Sequence, residues 1–191
     1  MPSQIDLFAD RPALPPIEGL QVVPDAVSPE QEEALAKAID TAPLEPFRFG
    51  QWTGKRLTAY YGSAYDFARG RPVPAPPLPD WLLDLRARLA PLVGLQAEAL
   101  QQALVIRYDP GAGIGWHRDR PQYGEVLGLS LGAPATLRLR QRRADGSFAR
   151  HAVPLAPCAA YLLSGEVRER WEHSITPLEE TRRSITFRTL L

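Results

Sequence analysis

A single cysteine, Cys158, leaves this 191-residue chain no intramolecular disulfide and fits a reducing compartment. Set beside Pro157, Ala159 and Ala160, it reads as a small core residue. An excess of either charge is also missing. Lys and Arg total 22 and so do Asp and Glu, so any contact with nucleic acid has to be a local patch and not a global basic field. No apolar run approaches the length of a membrane span, and the opening Met-Pro-Ser-Gln-Ile-Asp lacks a charged-then-apolar signal pattern. The expectation is a cytoplasmic protein with no membrane association and no obligate protein partner. There is no internal repeat. Histidine is scarce, with only His117, His151 and His173, so any histidine-bearing metal site must draw on these three.

What is present is 45% hydrophobic residues, enough for one substantial core and hence one domain over residues 1–191. Residues 1–20 carry four prolines and read as an extended arm. Residues 21–100 read as helical support and an aromatic substrate lid. Ser28-Pro29-Glu30-Gln31 is a helix start, with a Ser cap and Pro at the first position. Leu35, Ala38 and Ile39 give that helix an apolar stripe, and Pro43 stops it. The stretch 46–67 is dense in aromatics interleaved with Arg48, Lys55 and Arg56, which suits either core packing or base stacking. Within it Arg56–Gly62 reads as a strand. The stretch 69–79 holds five prolines and reads as a surface linker. A second amphipathic helix is expected over 80–93, with Trp81, Leu82, Leu85, Leu89 and Leu92 inward.

Residues 101–191 read as β. Strands are expected at 103–108, 115–119, 126–131, 136–142, 150–153, 159–163, 169–175 and 183–190, punctuated by Gly and Pro. Many short strands at this spacing predict a barrel or jelly roll, with the two earlier helices buttressing it from outside: an α+β fold.

The chemistry starts at Tyr-Asp-Pro-Gly-Ala-Gly-Ile-Gly-Trp-His-Arg-Asp, residues 108–119. Side chains two apart on a strand share a face, so His117 and Asp119 can offer nitrogen and oxygen to one point. His173 lies in a second strand-like segment and is the natural third ligand; His151, with no motif around it, reads as a surface residue. Two imidazoles and a carboxylate leave open positions on a metal and suit non-haem Fe(II) with O2. The last strand alternates, with Arg182, Ser184, Thr186 and Arg188 on one face and Ile185 and Phe187 on the other. Such a face suits a carboxylate. Taken alone, the stretch suits a solvated edge strand, whose charges deter aggregation, better still. Six residues of strand span ~20 Å, so both arginines reach one short diacid only by leaning together.

From Arg56 to the C-terminus the chain resembles the AlkB family of Fe(II)- and 2-oxoglutarate-dependent dioxygenases. The matching pieces are Arg56–Gly62, Tyr65-Asp66-Phe67, Arg107–Ala112, Trp116–Asp119, Leu129–Gly132, His173 and Arg182–Arg188. The resemblance implies a double-stranded β-helix with Fe(II) on His117, Asp119 and His173, and 2-oxoglutarate and O2 as co-substrates. It implies that Arg182 pairs with the distal carboxylate of 2-oxoglutarate, that Arg188 sits near its chelating end, and that Tyr108 and Ser184 add hydrogen bonds. The implied substrate is alkylated DNA or RNA, single-stranded or with its base flipped, contacted by Tyr65 and Phe67; Arg56, Trp116 and Arg140 are further candidates for the substrate surface. Succinate, CO2 and formaldehyde are the implied products. Arg138, Arg140, Arg142 and Arg143 suit a phosphate patch or a polar outer sheet face.

Two positions depart from the family pattern. The acid expected four residues beyond His117 is Pro121, leaving Glu125 or Asp66 to read a base. The asparagine expected two residues before Tyr108 is Ile106. A protein side chain or a small molecule is the rival substrate, and a non-catalytic jelly-roll module the rival class.

Overall fold

The computed structural model describes residues 17–49, 52–66 and 69–191. Most of the proposed N-terminal arm, and Phe67, lie outside them.

In chain order the elements are β1 (Leu20–Val23), α1 (Pro29–Thr41), β2 (Glu45–Phe49), β3 (Trp52–Tyr61), β4 (Ser63–Asp66), β5 (Arg71–Pro74) and α2 (Asp80–Leu89). Then follow β6 (Leu100–Tyr108), β7 (Ile114–His117), β8 (Tyr123–Gly132), β9 (Ala135–Arg142), β10 (Phe148–Leu155), β11 (Ala160–Leu163), α3 (Gly165–Arg170), β12 (Glu172–Ile175) and β13 (Arg182–Leu190). Seven strands make one sheet in the order β1-β11-β8-β13-β6-β3-β2, and four make a second, β10-β9-β12-β7. β4 and β5 form a separate ribbon. All the strand pairs are antiparallel. The two large sheets enclose a cavity, which is the jelly-roll arrangement read from the strand spacing.

The helices form where the local signals put them. Ser28 Oγ accepts from the Gln31 amide at 3.3 Å while Gln31 Oε1 accepts from the Ser28 amide at 2.9 Å, a reciprocal cap on α1. Leu35 and Ile39 of α1, with Leu82, Leu85 and Leu89 of α2, pack on Val105, Leu129, Ile185 and Phe187. Each such fully buried side chain is worth about 1.5–3 kcal/mol of transfer free energy. The outer face of the seven-stranded sheet is therefore apolar and helix-covered, and its inner face is free to carry polar groups. Among the described residues no helix is long and apolar enough to cross a membrane.

Five expectations need correction. Helix α2 ends at Leu89 and continues as a single 3-10 turn, Ala90–Val93, because Pro91 cannot extend the α ladder; Leu92 is consequently exposed. The proline-rich linker contains β5, since two strands alone tolerate proline on an outer edge. The charged segment 166–170 is helix α3, so β12 begins at Glu172 and not at Glu169. Strand β7 stops at His117, leaving Asp119 in the following loop. The edge-strand reading of the last segment also fails: β13 lies between β6 and β8, paired along both sides.

Candidate active site

His117 and His173 stand directly opposite each other across β7 and β12, so both imidazoles leave the same face of the four-stranded sheet. Their ring centroids are 4.2 Å apart. His117 Nδ1 lies 2.9 Å from the Gly115 carbonyl. A carbonyl only accepts, so the proton is on Nδ1 and Nε2 keeps its lone pair for a metal. Burial holds both imidazoles below the usual histidine range, and His173, with His117 beside it, falls to about 3. Both are neutral at physiological pH, as ligation requires.

Asp119 reaches the same place from its loop. Its Oδ2 is 3.6 Å from His173 Nε2. Its Oδ1 accepts from Arg188 Nε at 3.0 Å and lies 2.9 Å from Nη2. Burial pushes this carboxyl up, but Arg188 and the two imidazoles outweigh it, and it is held well below the usual carboxylate range. Among the described residues no three His, Cys, Asp or Glu side chains already stand in full metal-holding geometry. This set is gathered without having been drawn onto a common point. Two neutral imidazoles and one ionised carboxylate nonetheless form the donor set that Fe(II) takes.

The loop carrying Asp119 is tied to α3 from both sides. Arg168 Nη2 donates to the Arg120 carbonyl at 2.6 Å and also to the Tyr123 carbonyl at 2.5 Å, and Arg118 Nη1 donates to Glu169 O at 3.0 Å. These bonds place a carboxylate that strand geometry alone does not. Gln102, fully buried on β6 directly opposite Arg188, accepts from its Nη1 at 2.9 Å. Every Arg188 nitrogen thus serves Asp119 or Gln102. Arg188 stands beside the Asp119 carboxylate instead of offering a free fork to a second anion.

Arg182, at the other end of the same face, has no carboxylate partner among the described residues. It is 1% exposed, and its Nε donates to Ser130 Oγ at 3.2 Å. Its Nη1 and Nη2 have no hydrogen-bond partner among the described residues. Leaving two guanidinium nitrogens buried and unpaired is costly unless an anion meets them. This orphaned fork is the strongest structural sign of an anionic ligand, and a carboxylate fits it in bidentate fashion. Tyr108, paired with Arg182 across the strands, lies 5.2 Å beneath its guanidinium. Tyr161 closes the same end, and a Cβ on Gly128 would meet its ring at 2.1 Å, so only glycine admits it. The donor set and the fork together fit Fe(II) and a dicarboxylate keto acid.

A cavity of about 1180 Å³ unites these groups, including Arg56, Tyr65, Tyr108, Trp116, His117, Asp119, His173, Arg182, Ser184 and Arg188. At its mouth Arg56 lies 3.9 Å from the Phe47 ring centre, and Arg120 lies 3.8 Å over Tyr65. Pro121 and Glu125 also line it, as does apolar Ile106. The Asp66 side chain lies outside the described residues. Arg140 is committed differently from expectation: it pairs with Glu172 at 2.6 Å and stacks over Trp116 at 4.5 Å. His151 is half-buried on β10, away from the metal-ligand candidates in the outer depression it shares with Arg138 and Arg150. Sequence reasoning missed Gln102, Tyr123, Tyr161, Arg120 and Arg168. Gln102 alone had a signal, a polar residue in an otherwise apolar strand face.

Comparison with known proteins agrees with this geometry. Residues 19–188 match the model of the 2OG-Fe(II) oxygenase superfamily. The tRNA (carboxymethyluridine(34)-5-O)-methyltransferase alkbh8 of Xenopus tropicalis is 32% identical over 175 residues, 87% of this chain but 26% of that protein. The probable RNA/DNA demethylase ALKBH6 of Danio rerio is 33% identical over 101 residues, 53% of this chain and 41% of that one. This chain therefore spans well under half the length of these two curated relatives. The solved structure of OsALKBH1 superposes with a TM-score of 0.64 at 15% identity, covering 90% of this chain and 96% of that one, and shares the fold. The family's reaction uses Fe(II), 2-oxoglutarate and O2. The chain belongs to the 2OG-Fe(II) oxygenase superfamily and is AlkB-like in sequence.

Proposed function

We propose that this dioxygenase oxidatively demethylates alkylated bases of DNA or RNA, presented single-stranded or flipped out. The observation that carries the reading is the mouth of the cavity, where aromatic rings and guanidinium groups alternate over a metal-ligand cluster. Bases stack on such rings whatever their sequence, and arginines meet the flanking phosphates. The name printed for the Danio rerio relative points the same way.

In this reading His117, Asp119 and His173 hold Fe(II), which with 2-oxoglutarate and O2 supplies the oxidation of an N-methyl group. Arg182 and Tyr108 grip the distal carboxylate of the keto acid, with Ser184 beside them. Arg188 and Gln102 fix the Asp119 carboxylate and keep it ionised. Tyr65 and Arg56 orient the base so that its methyl group faces the metal ligands, and Phe67 is assigned to the same lid by the sequence alone. The oxidised methyl then leaves as formaldehyde, and the nitrogen it leaves takes a proton.

The test is release of succinate and formaldehyde with Fe(II), 2-oxoglutarate and a panel of methylated oligonucleotides, with Asp119→Ala as control. Formaldehyde that requires both oligonucleotide and Asp119 is expected. Succinate that requires Asp119 but ignores every oligonucleotide would move the substrate to proteins or metabolites.

A further inference from the structure

The outer face of the four-stranded sheet carries a basic array that the oxidation chemistry does not use. Register puts Arg150 opposite Arg140, Ala152 opposite Arg138 and Phe148 opposite Arg142. Glu172 lies opposite Arg140 on the other side. All of these share the face turned away from Leu137 and Leu139, and Trp116 joins them because its neighbour His117 points inward. The result is a ladder. Arg138 lies 4.8 Å and Arg140 4.5 Å from the Trp116 ring, and Arg140 lies 4.6 Å and Arg150 5.7 Å from the Phe148 ring.

Charge on this face is lopsided. Four arginines, 138, 140, 142 and 150, meet one carboxylate, Glu172, and among the described residues only Arg140 pairs with it. Stacking uses the flat face of a guanidinium and leaves its in-plane N–H donors for a phosphate. The rings also fix the side chains in advance, which lowers the entropy lost on binding. This face is continuous with the site: Trp116 lines the main cavity and also a shallow depression of about 250 Å³ shared with Arg138, Arg150 and His151.

We propose that the β9–β10 face is the track for the phosphate backbone of a single-stranded nucleic acid whose target base enters the cavity past Trp116. The proposal rests on the nucleic-acid reading above and adds the path of the strand. A solvated sheet face has no need of three arginines that lack a carboxylate partner among the described residues beside the mouth of a cavity. A polyanion does.

The experiment measures binding of a labelled single-stranded oligonucleotide to the full chain across a salt series. Wild type is compared with Arg138→Gln/Arg150→Gln, with Arg138→Lys/Arg150→Lys, and with a charge-matched control on the helices, Lys37→Gln/Arg88→Gln. Thermal melts confirm that each variant folds. Each phosphate contact on a single strand contributes about 0.7 to the slope of log affinity against log salt, so the Gln pair should lose about 1.4 of slope and bind severalfold more weakly. The Lys pair should keep the slope, and the helix control should match wild type. Equal slopes for wild type and the Gln pair would overturn the track while leaving the demethylase reading standing. A wild-type chain that binds no oligonucleotide even at low salt would overturn that reading, and the track with it.

Discussion

The seven-stranded sheet meets the cavity with Arg182, Ser184, Thr186 and Arg188, whereas the four-stranded sheet meets it with His117 and His173, which burial keeps neutral. The first wall is regular, with β13 in register with both neighbours from Arg182 to Arg188. The second is irregular, with a register shift between His173 and Ile175. The difference follows from what each group costs to bury. A neutral imidazole needs little, so a short, uneven strand can present it. A guanidinium needs partners or an anion, so it is held in the middle of the largest sheet, where helices α1 and α2 stiffen the far side. Fixed positive charge thus lies on one wall, and the anionic end of the keto acid is expected against it.

The most drastic way to break this division is Asp119→Ala, which removes the one carboxylate joining the walls. Arg188 would keep only Gln102, an uncompensated buried charge, and unfolding free energy should fall by about 3–5 kcal/mol. Fe(II) retention should be lost as well; denaturant melts and an iron assay report the two effects. Next comes Arg182→Met. Affinity for 2-oxoglutarate should drop by about 2–5 kcal/mol, roughly 30- to 5000-fold, by titration calorimetry. Without ligand, the same variant should be as stable as wild type or up to about 4 kcal/mol more stable, because the unpaired Nη groups are gone. Tyr65→Ala sharpens the role of the lid: it should weaken oligonucleotide binding by about 1–3 kcal/mol, seen as a raised KM. Arg183→Gln is the smallest change. Arg183 sits on the opposite face of β13 and pairs with Asp40 at 2.6 Å near the surface, so it should cost about 0–1 kcal/mol in melts and leave turnover intact.

Much of the fold was legible because local signals and global architecture agree. The Ser28 cap, the Pro43 stop and the alternation of 182–188 each act within a few residues. The His117 and His173 pairing was legible for the same reason, two short strands with inward imidazoles. Asp119 was only half legible. Spacing put it near His117, but its place depends on Arg168, Arg118 and Arg188, which lie 49, 1 and 69 residues away. Gln102 was half legible: its polarity stood out on an apolar strand face, but only the β6–β13 register brings it to Arg188. The proline-rich β5 and the charged α3 were missed because tertiary pairing overrode local composition. Arg140 was drawn towards substrate by its place in a basic run, and Glu172, invisible in sequence as its partner, claims it.

The division of the walls is tested most directly by melting wild type, Arg182→Met and Asp119→Ala with Mn(II) alone and with Mn(II) plus 2-oxoglutarate. Wild type should rise with the metal and rise again with the keto acid, as any ligand that binds only the folded state requires. Arg182→Met should keep the metal shift and lose the second, and Asp119→Ala should lose both. A full 2-oxoglutarate shift in Arg182→Met would contradict the charged wall, and a metal shift surviving in Asp119→Ala would contradict the metal-holding set.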